Sequence, residues 1–520
     1  MSMADTAMPF TLPTGRPTES SAGLAAAPLA TPPLAPPSPG TTPAAGPPTA
    51  PSPTAAPRAA APPAAAPPAA APPAAAPPAA APPAAAPPAA APPAAEPAVT
   101  ALPPVPVSAT LAANETLARK RRAGETVLPL AFGEAGLPTH PMLRDALAAA
   151  SGGNAYGPVA GLPELRAAAA GYWARRGTPT GAASIVCGPG SKALLFGLLL
   201  AVGADVAVPQ PSWVSYAAQA SMIGARPYFV PAPPGEGGVC DAAALDRAVR
   251  AARAAGRRIG AVVVTLPDNP TGRLARPASV RALCEVARQH DLIIISDEIY
   301  RDLVHDPDQE LTSPVDVAPE RTVVTTALSK GLALGGWRIG VARMPDSSSG
   351  RALRDRLVGI GSEIWSAPSL PIQQAAALAF REPGPLAERV SRSRWLHAQV
   401  ASAVAGRFAA AGLLVPAPQA AFYVYPDFAP WRAHLYASRG LCTGPELAGH
   451  LLQRYGMGVL PASAFGEGEE ALRMRVATGL LYGEADEQRE TALMSDDPVA
   501  LPWIAAALSR IDDILADFAP

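Results

Sequence analysis

The sequence predicts an α/β fold: a large domain whose mostly parallel sheet is flanked by helices, a smaller α+β domain, and a disordered Pro/Ala-rich tail ahead of both. Three observations predict it. Strand-like and helical runs alternate through the middle of the chain, the strand-like runs are apolar at consecutive positions, and the prolines crowd at one end. Of the 66 prolines, 33 fall in residues 1–108, which hold only five charged side chains: Asp5, Arg16, Glu19, Arg58 and Glu96. Such a segment has too little Leu, Ile or Phe to bury a core, and proline removes backbone donors. Within it, residues 59–94 repeat AAAPP, a semi-stiff polyproline II spacer by composition.

From Ser108 the pattern changes. LAANETLARKRRAG reads as a first helix, followed by the apolar run VLPLAFG and by the helical runs MLRDALAAA and PELRAAAAGYWARR. The strand-like runs SIVCG, DVAVP, RPYFVP, AVVVTLP, LIIIS, TVVTTAL and RIGVARM then alternate with helical ones such as KALLFGLLLAV and ASVRALCEVARQ. After Arg351 the reading turns helical, and it ends in short strands such as AFYVYP and LRMRVA. The expected division is a tail over 1–107, a helix and loop over 108–150 belonging to the small domain, a large domain over 151–385, and a small one over 386–520. The acidic stretch Glu484 to Asp497 reads as a solvated loop, with a lid as the alternative.

Charge and composition exclude several classes. A net charge of −1, from 41 basic and 42 acidic residues, gives no basic field for nucleic acid. The N-terminus lacks a secretory pattern, and the Leu-rich run Ala193 to Ala201 falls far short of the ~20 residues of a membrane helix. A soluble, cytoplasmic protein is expected, with no metal, since the four cysteines and six histidines show no ligand spacing.

The lysines stand out. Only three of the 41 basic residues are lysine, at 120, 192 and 330. Arginine stays protonated, whereas a desolvated lysine can attack a carbonyl. Ligands of an open parallel sheet sit beyond the carboxyl ends of its strands. Five polar groups follow strand-like runs: Gly188-Pro-Gly-Ser-Lys192 after SIVC, Asn269-Pro-Thr-Gly272 after AVVVTLPD, Asp297 with Tyr300 after LIIIS, Ser329-Lys330 after TVVTTAL, and Arg338 within Gly335-Gly-Trp-Arg-Ile-Gly340. Together they offer a lysine for an imine, an acid, an amide, a phenol, and an arginine with a glycine turn for a phosphate. Pyridoxal 5'-phosphate asks for this set: an amine for its aldehyde, an anion beside its pyridine nitrogen, donors to its phenolate oxygen and a phosphate cradle.

The motifs NPTG at 269, SDEIY at 296 and SKxxxxxGWRIG at 329, spaced by 28, 33 and eight residues between Asn269, Asp297, Lys330 and Arg338, resemble the class I/II pyridoxal-phosphate aminotransferases of fold type I, in the aspartate aminotransferase superfamily. The resemblance runs from about Ser108 to the C-terminus. It implies transfer of an α-amino group from an amino acid to a 2-oxo acid by a ping-pong mechanism. Another pyridoxal-phosphate reaction on the same fold, or a non-catalytic aminotransferase-like regulator, is the alternative. Lys330 is implied as the residue that binds the cofactor and shuttles the α-proton, Asp297 as the partner of the pyridine nitrogen, and Asn269 and Tyr300 as donors to the phenolate oxygen. Trp213 is implied as the stacking aromatic, and Gly190, Ser191, Lys192 and Arg338 as the phosphate site. Tyr156 would reach the phosphate of a neighbouring subunit, which implies a homodimer with shared sites. Gly133 and Arg473 would hold the substrate, Arg473 by its α-carboxylate. Ala327 stands where the family commonly has Ser or Thr, with Thr326 as a substitute hydroxyl, and Ala420 stands for glycine in the usual PxGAFY.

Overall fold

The computed structural model describes residues 108–520; the tail expected over 1–107 lies outside the described residues. A seven-stranded sheet forms the centre of the larger lobe. Its strands are β1 (Ile185–Gly188), β2 (Asp205–Gln210), β3 (Pro227–Pro231), β4 (Ile259–Thr265), β5 (Ile293–Asp297), β6 (Thr322–Ala327) and β7 (Gly340–Arg343). They lie in the order β1-β7-β6-β5-β4-β2-β3, parallel except for β7, which runs antiparallel to both neighbours.

The consecutive apolar residues of β4 and β5 have a direct structural use. Val262, Val264 and Ile294 pack on one face with Leu245, Leu283 and Cys284 of the helices Ala242–Ala254 and Pro277–Gln289. Ala261, Val263 and Ile295 pack on the other with Leu195, Leu198 and Leu357 of the helices Ser191–Val202 and Ser348–Ile364. Burial on both faces forbids alternation of apolar and polar residues. The covering helices show the complementary pattern: Pro277–Gln289 buries Val280, Leu283, Cys284 and Ala287, one stripe at helical spacing.

A second core lies in the C-terminal part. Val400, Val404 and Phe408 of the long helix Gly384–Ala410 pack there with Val476, Ile511 and Phe518. Leu128, Leu130 and Leu137 join this cluster, and Leu128–Pro129 pairs in parallel with Met457–Gly458. Leu143, in the next helix Pro141–Ala150, packs instead with Leu165, Trp173 and Phe380 on the larger lobe.

The stretch Glu484 to Asp497, expected as a loop, contains a helix over Asp486–Met494. Gln488 Oε1 accepts from the backbone N–H of Glu484 at 2.8 Å, Asp486 and Glu487 occupy the first turn, and Ala492 and Leu493 are buried in the C-terminal core. Acidic residues at the start of a helix favour it through the macrodipole, so the charge read as solvation is also a helix-start signal.

Candidate active site

The carboxyl ends of β1, β2, β4, β5 and β6 meet at one edge of the sheet, and the antiparallel β7 begins there. A residue just before β7 therefore joins residues just after the others, which explains how Arg338 reaches the site. A cavity of about 550 Å³ opens at this edge. Its lining includes Ser191, Lys192, Trp213, Asn269, Asp297, Tyr300, Lys330, Arg338 and Gly133. Nine of the sequence-predicted positions thus face one cavity.

Lys330 sits on the short helical turn Leu328–Gly331 that follows β6, and its ammonium donates to the carbonyl oxygen of Gly133. Burial, reinforced by the Arg475 and Arg338 charges and opposed by Glu134, brings its pKa down to about 8. The neutral amine needed for attack on a carbonyl is therefore within reach near neutral pH.

Asp297, 2% exposed at the end of β5, accepts from Tyr216 Oη at 2.9 Å and from Thr325 Oγ1 at 3.3 Å. Burial raises its pKa to about 6 despite these donors. Asn269 accepts at Oδ1 from Arg475 Nη1 at 3.2 Å. The Tyr300 and Tyr423 hydroxyls lie 2.6 Å apart, and burial pushes the Tyr300 phenol up.

Also on the lining, Ser191 and Lys192 begin the helix Ser191–Val202, with Lys192 Nζ 5.0 Å from the Trp213 ring centroid. Gly190 caps that helix with φ +83°, and a Cβ there would collide with the Arg338 guanidinium. Only glycine lets the arginine lie against this turn. Arg338 itself adopts φ 51°, unusual for a non-glycine residue, and Nη1 donates to the Gly335 carbonyl at 2.9 Å. Together a helix N-terminus, an arginine and a lysine make an anion site.

Three expectations meet a different placement. Arg473 is outside the cavity: its Nε donates to Glu467 Oε2 at 2.7 Å, and Nη1 lies 3.8 Å from Asp427. Arg475 takes the position inside, 1% exposed, donating also to the Ala131 carbonyl, with its guanidinium carbon 5.2 Å from the Tyr423 ring centroid. The two lie two residues apart on one strand edge, and the Glu467 carboxylate holds the first of them outward. Tyr156 is also outside this cavity and is 92% exposed. Thr326 faces a different cavity and its hydroxyl lies 3.5 Å from the Glu298 carbonyl, whereas Ser329 lines the site.

Sequence reasoning missed Tyr216 and Tyr423 as site residues, and it set Arg475 aside as the wrong register in favour of Arg473. A usable signal existed for Tyr216, one helical turn after Trp213 in PSWVSY, and for Tyr423, which ends PQAAFY.

A family model for aminotransferases of class I and II matches residues 125–480. The chain belongs to this family. Among the relatives of this aminotransferase, a probable aspartate/prephenate aminotransferase of Thermus aquaticus is 32% identical over 367 residues, covering 68% of this chain and 92% of the relative. An aspartate aminotransferase of Geobacillus stearothermophilus is 30% identical over 383 residues, 72% of this chain and 92% of its own. The solved structure of the Thermus thermophilus aspartate aminotransferase with maleate superposes with a TM-score of 0.66 at 28% identity, covering 80% of this chain and 98% of that one. The fold is therefore fold type I, and the protein is an amino-acid aminotransferase of a family that uses pyridoxal phosphate. Among the described residues no helix is long and apolar enough to cross a membrane.

Proposed function

We propose that this cavity binds pyridoxal 5'-phosphate and exchanges the amino group between an amino acid and a 2-oxo acid, with Lys330, Asp297 and Tyr300 as its catalytic residues. The observation that carries the reading is the arrangement along one sheet edge: an amine with a lowered pKa at Lys330, a buried carboxyl at Asp297, and an anion cradle at Gly190, Ser191, Lys192 and Arg338. The donor set fits the cofactor group by group. Bound there, the cofactor supplies an electron sink for charge developing at the donor's α-carbon.

The chain's own residues do the rest. Asp297 is the anionic partner of the pyridine nitrogen, while Asn269 and Tyr300 address the phenolate oxygen. Trp213 offers its ring for stacking. Lys330 takes the α-proton as a base and returns it as an acid. Arg475, with a buried Nε that has no partner and a second nitrogen on Asn269, is the residue for the α-carboxylate, in place of Arg473. Gly133 contributes its backbone to the same wall. We further propose a cytoplasmic homodimer with shared sites: an aromatic side chain as exposed as Tyr156 suits a contact with a partner subunit.

Reductive trapping tests this. Borohydride treatment of the loaded protein should attach the cofactor to Lys330, and Lys330→Ala should slow conversion of the bound cofactor by an amino acid alone by about 10²–10⁴-fold. Labelling of Lys192 or Lys120 instead, or release of ammonia as the main product, would overturn it.

A further inference from the structure

The hydroxyls of Tyr300 and Tyr423 lie 2.6 Å apart, close enough for one hydrogen bond, and either oxygen can donate it. Resting on the reading of the site just given, we infer that Tyr423 is a positioning residue for the reaction: its hydroxyl donates to Tyr300 and strengthens the donor that Tyr300 aims at the phenolate oxygen of the cofactor. Each phenol has one proton to give. Tyr300 spends its own on the phenolate oxygen, so the bond within the pair takes the proton of Tyr423. A hydroxyl that accepts one hydrogen bond becomes a stronger donor of the next, because such chains polarise cooperatively.

The main chain holds this contact in place. Ala421, two positions before Tyr423, adopts φ 57°, a left-handed conformation unusual for a non-glycine residue. Its N–H donates to the Leu303 carbonyl at 2.8 Å, and its own carbonyl lies 2.8 Å from His305 Nε2. The Leu303 N–H in turn donates to the Tyr300 carbonyl at 2.9 Å. Two tyrosines 123 residues apart are thus tied together through their backbones. Tyr423 also pairs opposite Ala477, on the strand that carries Arg475. A Cβ at Gly133 would collide with the Tyr423 hydroxyl, so the glycine leaves room for it. Tyr300 is 3% and Tyr423 0% exposed within a single chain, with their rings edge-on at 5.5 Å, so the contact does not draw on a partner subunit. The charged groups facing the pair are Arg475, 5.2 Å from the Tyr423 ring centroid, Lys330, 6.0 Å from that of Tyr300, and the carboxyls of Asp297 and Asp268. Burial pushes the Tyr423 phenol up and the Arg475 charge opposes it, with the net direction upward, so the hydroxyl keeps its proton at neutral pH.

The test uses the full chain loaded with pyridoxal 5'-phosphate and follows the absorbance of the bound cofactor against pH, without substrate, in the unmodified protein, Tyr423→Phe, Tyr300→Phe and the double variant. A donor to the phenolate oxygen favours its ionised form, so a weaker donor raises the pKa that the absorbance reports. Tyr423→Phe should raise it by about 0.3–0.8 unit. In the Tyr300→Phe background the same substitution should move it by less than about 0.1 unit, because the residue through which Tyr423 acts is gone. A shift that persists in that background overturns the inference, as does no shift at all. A higher donor KM at an unchanged pKa overturns it too and places the Tyr423 hydroxyl on the substrate. Failure of Tyr423→Phe to load the cofactor also overturns it, since the hydroxyl would then serve the fold. An unmodified protein that stays colourless with the cofactor, or a Tyr300→Phe variant with an unmoved pKa, would instead overturn the reading of the site, and the inference with it.

Discussion

The two walls of the cavity are built by different means. Along the sheet edge, Ser191, Asn269, Asp297, Lys330 and Arg338 are placed by the ends and beginnings of buried strands, so the backbone fixes where each side chain starts. The facing wall draws Gly133, Tyr423 and Arg475 from the N-terminal segment and the C-terminal lobe, and there the outcome depends on which partner each long side chain finds. Glu467 takes Arg473 away from the cavity, while Asn269 and the Ala131 carbonyl hold Arg475 within it. A wall set by strand ends is robust to single substitutions of its neighbours. A wall set by side-chain pairing can change its functional residue by two positions.

The largest effect that sharpens this contrast is expected from the two arginines. Arg475→Ala should raise KM for amino donors by about 10–150-fold, the value of a charge-assisted pair of about 1.5–3 kcal/mol. Arg473→Ala should leave KM within about two-fold and lower stability instead, because it leaves Glu467, whose side chain is only 7% exposed, without its cation and with the Tyr425 hydroxyl as its remaining side-chain donor. Steady-state kinetics of both variants with one donor decides the matter. A larger KM change for Arg473→Ala would move the carboxylate site back to the residue the family motif implies.

Much of the strand-edge wall was legible because its information is local. An apolar run such as LIIIS followed by Asp297, or TVVTTAL followed by Lys330, states both the strand and the polar residue at its end. The scarcity of lysine in a chain rich in arginine leaves three candidates by count, and the strand-like runs ahead of Lys192 and Lys330 set those two apart from Lys120. The antiparallel direction of β7 was not legible, since RIGVARM reads the same either way, yet that direction is what delivers Arg338. The choice between Arg473 and Arg475 was hidden for another reason: Glu467 and Asn269 are six and 206 residues from their respective arginines, and the second distance carries no sequence pattern.

A buried acid next to the strand-edge wall carries a cost in stability. Asp268, fully buried beside Asn269, has its pKa raised by burial to about 7 from an ordinary 3.8, and its Oδ1 has no partner. Its Oδ2 accepts from Thr271 N–H at 3.2 Å and from the Thr271 hydroxyl. The folded protein therefore holds this proton more tightly than the unfolded chain does. Stability is undiminished below about pH 4, where both forms are protonated, and falls as pH rises from about 4 to about 7, where only the unfolded chain gives up the proton. Asp268→Asn keeps an acceptor for Thr271 and removes the ionisation. A shift of about three units bounds the gain near 4 kcal/mol, and the buried amide returns part of it, so about 1–2 kcal/mol of added stability is expected at pH 8. Denaturant unfolding at pH 5 and pH 8 should show the variant's advantage growing with pH. An advantage of equal size at both values would assign it to packing.

The smallest effect probes how the strand-edge wall keeps Asp297 charged. Tyr216 donates to Asp297 Oδ2 at 2.9 Å, lies 2.9 Å from Thr265 Oγ1, and sets its ring edge-on to Trp213 at 5.2 Å. Tyr216→Phe keeps the ring and removes the donor. Asp297, already raised to about 6 by burial, then loses the strongest of the contacts that oppose burial, and its pKa moves further up. Loss of one hydrogen bond of about 1 kcal/mol corresponds to about five-fold weaker cofactor binding at pH 7. The distinctive sign is pH dependence: the deficit should shrink at pH 9, where the carboxyl is ionised in both proteins, and widen toward pH 6. Fluorescence titration of the apoprotein with cofactor at the three pH values measures it. A deficit that stays constant across that range would mean that Tyr216 acts only by filling space beside Trp213, and that Thr325 and the backbone N–H of Ile299 suffice to hold the Asp297 charge.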